Sequence, residues 1–281
     1  MLKRHVSTHL YIRGAVAAAL LLSFSACGKS DPVYSAISTM GRNYLPYNMN
    51  GFTITDAYGN KASGGGDDPP GGGGGVACCY KLMGTEFTVK WDYYDADQWH
   101  KGSEEMFRAE AKVSMPAIAV PDKVGTRILE LHFYPDRHVE FQFPGGLLDE
   151  PRVPTIAVAK WMTRFQPQLD SRYDERDDQQ LRRIARVVAT AWLRYRMVDQ
   201  DDLKQFVYFT LLVNKNFDSH PDIQKIVQIA RDKPGQFAKA MQALPRSTVN
   251  DLNSNRFKAV AVPVIEDGLL PPQRVEDKKN G

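Results

Sequence analysis

Two adjacent cysteines, Cys78 and Cys79, are the residues of this chain best suited to redox chemistry. In an oxidising compartment they could close into a vicinal disulfide. Neighbouring side chains on a β-strand point to opposite faces, which opposes such a bond. The sequence therefore favours two reduced thiols, one facing the core and one facing solvent, and leaves the vicinal disulfide as the alternative.

The sequence carries no signature of an enzyme active site. It has neither a Gly-x-Ser-x-Gly nucleophile elbow nor a His-Glu-x-x-His zinc helix. His132 and His138 are expected on the polar side of a hairpin, as solvated or hydrogen-bonded residues and not as metal ligands. No histidine or second cysteine pair lies at ligand spacing from Cys78 and Cys79. We predict no catalytic residue, no metal site and no cofactor.

The third cysteine, Cys27, follows a segment typical of protein export. Residues 14–24 form an apolar run that has the length of a signal-peptide core and is shorter than the roughly 20 residues of a membrane span. Three basic residues precede the run, and Phe24, Ser25 and Ala26 end it directly before the cysteine. This arrangement resembles the lipobox of bacterial lipoproteins, in which the cysteine is diacylated and becomes the first residue of the mature chain.

The lipobox resemblance implies a signal peptide over residues 1–26, a lipidated tether over residues 27–33 and attachment to a bacterial membrane through Cys27. Gly28 and Lys29 follow the cysteine, with no aspartate at the second position. In such lipoproteins this implies release to the outer membrane, with the folded part facing the periplasm. An ordinary cleaved signal peptide and an uncleaved anchor are the alternatives.

The charge balance argues against nucleic acid as a partner. Of the 36 lysines and arginines, three lie in residues 1–26, which contain no acidic residue, so the rest of the chain has 33 basic and 33 acidic residues. A chain without a basic excess has little attraction for a phosphate backbone. Hydrophobic residues at 43% and aromatic residues at 10% are typical of a folded protein.

Residues 34–150 are predicted to form a β-rich domain. Apolar and polar residues alternate in several short runs, and the clearest hairpin pairs Arg127–Tyr134 with His138–Phe143. One side of this hairpin is apolar, and the other carries polar residues such as Glu130 and His132. This period of two favours an antiparallel, sandwich-like β-domain.

Residues 64–75 include eight glycines and predict a loop with little conformational preference. A phosphate-binding loop needs Gly-Lys-Ser/Thr at the start of a helix, whereas this loop leads into a predicted strand over residues 76–82. Nucleotide binding is therefore rejected. A flexible connector is the default interpretation, and a loop packed closely against another segment is the alternative.

Residues 151–258 are predicted to be helical, which makes the fold class α+β. Apolar residues at three- and four-residue steps predict a helix through Val198 that begins near Ser171 or Asp174, and three further helices follow it. Residues 259–281 are predicted to be a short strand, around Val260–Val264, and a polar tail.

The segment over residues 91–100 contains four aromatic and three acidic side chains where the strand pattern ends. Large aromatic side chains in a loop provide much contact area at a small cost in entropy, as protein-binding surfaces require. We therefore select Tyr93, Tyr94 and Trp99 as candidate partner-binding residues. The alternative is that these aromatics complete the hydrophobic core.

The order of these features resembles a family of lipoproteins from Gram-negative bacteria, first described as a domain of unknown function. The resemblance rests on the lipoprotein signal, a short β segment, the run Gly71–Gly75 followed by Val76-Ala77-Cys78-Cys79, and a strand ending in Lys90-Trp91. It covers residues 34–145 and not the helical part. Members of this family are similar to immunity lipoproteins encoded beside phospholipase effectors of the type VI secretion system.

The resemblance implies that the chain binds and neutralises a cognate lipase effector in the periplasm by steric occlusion. The protein partner would then be a phospholipase. The main alternative is a structural or adaptor lipoprotein of the envelope or secretion machinery, and an enzyme whose site leaves no sequence signature is a further one.

Overall fold

The computed structural model describes residues 30–123, 127–144, 150–173 and 177–265. Strands occupy the N-terminal half and helices the C-terminal part, so the predicted α+β class is confirmed. The predicted signal peptide, Cys27, the N-cap candidate Asp174 and the tail beyond residue 265 lie outside the described residues.

The described strands form two four-stranded sheets, in the orders β4-β1-β7-β8 and β3-β2-β5-β6. Their bounds are β1 Val33–Asn43, β2 Asn48–Asp56, β3 Lys61–Gly64, β4 Ala77–Met83, β5 Glu86–Tyr94, β6 Phe107–Ser114, β7 Ile128–Phe133 and β8 Val139–Gln142.

The two sheets pack face to face around an aromatic-rich core, because the alternating apolar side chains of each sheet point toward the other. Phe133 of β7 contacts Phe52 of β2 and Trp91 of β5, with ring centroids 5.3 Å and 5.4 Å apart. One detail of the prediction is wrong. Strands β1 and β7 run parallel, so the first sheet is mixed and not antiparallel. Alternation reports which side of a strand is buried and carries no information on strand direction.

Strand β4 contains a bulge at the two cysteines. Ala77 pairs with Thr39 and Tyr80 pairs with Ile37, so Cys78 and Cys79 together lie opposite the single residue Ser38. Both cysteines are free thiols and both are exposed. The prediction that one of them faces the core is therefore wrong, because the extra residue interrupts the alternation on which it was based. The peptide bond between the two cysteines is cis.

The described helices follow the strands, apart from one short helix between β5 and β6. Their bounds are α1 Ala96–Trp99, α2 Thr155–Met162, α3 Gln166–Tyr173, α4 Asp177–Tyr195, α5 Gln200–Tyr208, α6 Pro221–Ala230, α7 Gln236–Gln242 and α8 Arg246–Ser254.

The four predicted helices correspond to α4, α5, α6 and α7, whereas α2, α3 and α8 were not predicted. Ser171 lies inside α3 and does not cap a helix start. Residues 259–265 form no strand, which contradicts the prediction around Val260–Val264. Instead, the amide of Val260 donates a hydrogen bond to the carbonyl of Ser219, next to α6, at 2.8 Å.

The helical part covers the outer side of β7. All six residues of β7 are buried, and Trp192 of α4 stacks on Tyr134, just after β7, at 5.1 Å. The polar side of the predicted hairpin is therefore not solvent-exposed where it carries Glu130 and His132. Glu130 accepts a hydrogen bond from Nη2 of Arg42 at 2.8 Å, and Nδ1 of His132 lies 3.0 Å from the hydroxyl of Tyr44.

Candidate protein-binding surface

The three aromatic residues selected from the sequence have different environments. Tyr93 is buried, with its ring 5.1 Å from that of Tyr47 and 5.4 Å from that of Phe107. Tyr93 therefore completes the core and is not available to a partner, because β5 still alternates at this residue. Trp99 is 41% exposed, and the half-buried Tyr94 lies against it with ring centroids 5.0 Å apart.

Helix α1 carries Trp99 and begins at an aspartate cap. The side chain of Asp95 accepts hydrogen bonds from the amides of Asp97 and Gln98, the usual way to satisfy the first amides of a helix. A helix of four residues is not stable by itself, so other contacts must hold it in place.

Two arginines of α4 hold α1 against the helical part. Asp97 accepts a hydrogen bond from Nε of Arg182 at 2.8 Å and one from Nη2 of Arg186 at 2.6 Å. Burial by itself raises the pKa of Asp97, but the hydrogen bond from Arg182 and the charge of Arg186 outweigh it, so the pKa lies below its usual value. Asp97 is therefore an ionised anchor between the two parts of the molecule.

Sequence reasoning missed these arginines. Arg182 and Arg186 are four residues apart on one face of α4, a spacing that places two guanidinium groups side by side. The sequence showed that spacing, but not the acidic partner, because Asp97 lies 85 residues from Arg182 in the chain.

The glycine-rich loop borders Tyr94. The hydroxyl of Tyr94 donates a hydrogen bond to Oδ1 of Asp67 at 2.5 Å, and Nδ2 of Asn48 donates to the same oxygen at 3.2 Å. Burial and the bond to Asp67 raise the pKa of Tyr94 to about 12, so it remains a neutral donor. We call Asn48, Asp67, Tyr94 and Trp99 the Trp99 surface.

The glycine-rich loop is packed and is not a flexible connector, which corrects the default interpretation. The amide of Gly71 donates to the carbonyl of Asn43 at 2.7 Å, and that of Gly74 donates to the carbonyl of Gly41 at 3.1 Å. A Cβ atom on Gly74 would come within 3.0 Å of the Asp68 carboxylate, and one on Gly71 would come as close to Thr155 of α2. Glycine is needed here because other segments approach the backbone closely.

Asp68 of this loop is buried with part of its carboxylate lacking a hydrogen bond within the described ranges. It is 5% exposed, and its Oδ2 has no hydrogen-bond partner among the described residues. Burial, and then the charge of Asp67, raise the pKa of Asp68 to about 6. Its carboxyl group therefore titrates close to neutral pH.

A shallow groove of 470 Å³ adjoins the loop on the outer face of the second sheet. Its lining includes Gly65, Lys90 and Arg108. Arg108 donates two hydrogen bonds to the carboxylate of Asp92, at 2.7 Å and 2.9 Å. The groove is therefore a polar, ion-paired surface beside the Trp99 surface.

Strand directions place the Trp99 surface at one end of the sandwich. Strand β1 starts at Val33 and ends at Asn43, and Asn48 at the start of β2 pairs with Tyr94 at the end of β5. The Trp99 surface therefore lies at the end where β1 finishes, which we call the distal end. We call the end where β1 begins the tether end, because the predicted lipidated tether precedes it in the sequence. The eleven residues of β1 separate the two ends by about 35 Å.

The described ranges give no geometric support for metal chemistry or for a transmembrane helix. Within them, no three His, Cys, Asp or Glu side chains come together as metal ligands would. No helix in the same ranges is both long enough and apolar enough to cross a bilayer.

Comparison with known proteins found no matching family model, no matching curated protein and no matching solved structure.

Proposed function

We propose that the chain is a periplasm-facing lipoprotein that binds a cognate type VI secretion lipase effector and neutralises it by steric occlusion. The observation that supports this proposal best is the Trp99 surface. It combines an exposed tryptophan, a tyrosine and an acidic loop residue on elements that are held in place by ion pairs and backbone hydrogen bonds. A pre-ordered aromatic patch loses little entropy on binding.

Lipid attachment at Cys27 would orient the two ends of the sandwich relative to the membrane. Five residues separate Cys27 from Val33, so the start of β1 would lie within about 20 Å of the acyl chains. The Trp99 surface would then point away from the bilayer and toward the periplasm. Tethering also raises the local concentration of an inhibitor at the membrane where a phospholipase acts.

The test of binding uses the lipase that the proposal expects to be encoded beside the gene of this protein. The lipase is produced in the periplasm of a laboratory host, with and without this chain, and viability and co-purification are measured. We expect rescue together with a stable complex. Lipase toxicity that is unchanged by the chain, with no complex, would contradict the immunity function and favour a structural or adaptor role.

Substitutions locate the interface. Trp99→Ala is expected to weaken the complex by about 30-fold, as loss of a central aromatic anchor does. Tyr58→Ala is the matched control, since Tyr58 is an aromatic residue that is 54% exposed at the tether end. Equal affinities for the two variants would remove the Trp99 surface from the proposal.

A separate experiment tests the anchor. Cells that produce the full chain are labelled with palmitate, and Cys27→Ser is compared with the wild type. The wild type is expected to carry label and to fractionate with membranes, and the variant is expected to do neither. An unlabelled wild type would contradict lipid attachment without affecting the binding test.

A further inference from the structure

The bulge in β4 removes the main physical argument against a bond between Cys78 and Cys79. On a regular strand the two side chains would lie on opposite faces. Here both cysteines lie opposite the single residue Ser38, and both are exposed. The extra residue of a bulge is unpaired and redirects the side chains around it.

The two thiols also interact directly. Hydrogen bonding with the side chain of Cys78 is the largest contribution that raises the pKa of the Cys79 thiol. The two thiols therefore lie close enough to interact, and both are exposed. Among the described strands, β4 lies at the edge of its sheet. Both thiols are exposed there, so a redox partner can reach them.

We propose that Cys78 and Cys79 are a modification site, at which a vicinal disulfide closes when the chain reaches an oxidising compartment. The oxidant is a disulfide, either of a thiol oxidoreductase or of glutathione. One cysteine thiolate attacks that disulfide and forms a mixed disulfide, and one thiol leaves. The second cysteine then attacks the mixed disulfide and displaces the other thiol. In total the two cysteines lose two protons and two electrons, and the oxidant gains them as two thiols.

Closure of this bond has a consequence for the surface. Two exposed thiols in an oxidising compartment react with other chains, whereas an internal disulfide protects both. The inference depends on export only for the source of the oxidant and does not depend on the lipase partner.

The test measures the redox state of the full chain as produced with its signal peptide. Periplasmic protein is quenched in acid and treated with a maleimide in the absence of reductant. After digestion, the mass of the peptide that contains both cysteines is measured by mass spectrometry. We expect a peptide that lacks two hydrogen atoms and takes up two labels only after reduction. Uptake of two labels without reductant, or a disulfide to another chain, would overturn the proposal.

Two comparisons separate this result from failed export and from failed folding. Purified reduced chain is incubated with glutathione disulfide, which is expected to yield the same internal bond with no retained glutathione. Cys78→Ser and Cys79→Ser are each expected to retain bound glutathione or to form disulfide-linked dimers, because the second thiol is missing. Stable glutathionylation of the wild type at both cysteines would also overturn the proposal.

Discussion

The two ends of the β-sandwich are built differently. At the distal end, Asp97 pairs with two arginines of α4, and Gly71 packs against Thr155 of α2. At the tether end, Tyr58 and Val33 are 54% and 48% exposed, and a Cβ atom on Gly59 would contact no described atom within 4 Å. The hydroxyl of Tyr58 donates a hydrogen bond to the exposed side chain of Asp31.

This difference shows where the molecule is ordered by contacts between distant segments. The distal end joins β1, the glycine-rich loop, α1 and α4, so its surface is held in one arrangement. The tether end also has contacts between distant segments, such as the hydrogen bond from the Met83 amide to Asp56 at 2.7 Å, but the side chains of Tyr58 and Val33 remain exposed there. The surface proposed to fit a partner would benefit from the first kind of construction, and the segment proposed to lead to a lipid anchor would not require it.

The largest effect on stability is expected on the outer side of β7, where Glu130 is buried. Glu130→Ala leaves the guanidinium of Arg42 without this carboxylate, and we expect the free energy of unfolding to fall by about 3–5 kcal/mol. Denaturant unfolding measures the loss. The control is Glu110→Ala, because the Lys90–Glu110 pair is exposed and its removal should cost less than about 1 kcal/mol. Equal losses for the two variants would show that burial does not distinguish the pairs.

The second effect concerns the glycine-rich loop. Gly74→Ala introduces a Cβ atom against the Asp68 carboxylate, and we expect a loss of about 1–3 kcal/mol. Gly75→Ala is the matched control, since a Cβ atom there meets nothing within 4 Å and should change stability by less than about 0.5 kcal/mol. If both variants were equally stable, the loop would be a flexible connector after all.

The third effect depends on pH. Burial, and then the charges of Arg152 and Arg42, lower the pKa of His132 from 6.5 to about 4. The folded state thus favours the neutral ring, so this contribution to stability is complete above pH 6.5 and is lost as the pH falls toward 4. Asp68 acts in the opposite direction, because its raised pKa makes protonation relieve an unfavourable buried charge.

The contribution of His132 is isolated by comparison with His132→Gln. Between pH 6 and pH 5 the wild type should lose about 1 kcal/mol more than the variant, measured by denaturant unfolding in the same buffers. Parallel pH profiles for the two proteins would mean that folding does not lower the pKa of His132.

The smallest effect is expected at the tether end. Tyr58→Ala should change the free energy of unfolding by less than about 0.5 kcal/mol, because the ring is mostly exposed and its hydroxyl bonds only an exposed side chain among the described residues. Thermal unfolding measures it. A loss comparable with that of Glu130→Ala would show that the two ends are equally ordered.

The fold class could be predicted because it depends on local periodicity. Alternating residues in β7 and β8 identified the hairpin, and three- and four-residue steps identified α4, α5, α6 and α7. Helix α2 was not predicted, because the residue before its first turn, Pro154, cannot provide the side-chain cap that usually indicates a helix start. Helices α3 and α8 contain few aliphatic residues, Leu169 in the first and Val249 and Leu252 in the second, which gives little periodicity to recognise.

The candidate site was predicted only in part. The aromatic composition pointed to Tyr94 and Trp99, but it included Tyr93, whose orientation depends on the register of β5. Asp67, Arg182 and Arg186 were not associated with these aromatics, because contacts between segments that are distant in sequence leave no periodic signal. Lipid attachment at Cys27 stays a prediction from the sequence.

The sequence by itself determined which segments alternate, which are helical, where glycines accumulate and where an export signal precedes a cysteine. The tertiary structure decided that a polar side of β7 is buried, that a glycine-rich loop is packed, and that Cys78 and Cys79 are both exposed. The physical reason is that side-chain periodicity is a property of a single segment. Burial of a given side requires a second segment, and in this molecule that segment is an α-helix or a distant strand. At the two cysteines, a bulge interrupts the alternation of the strand itself.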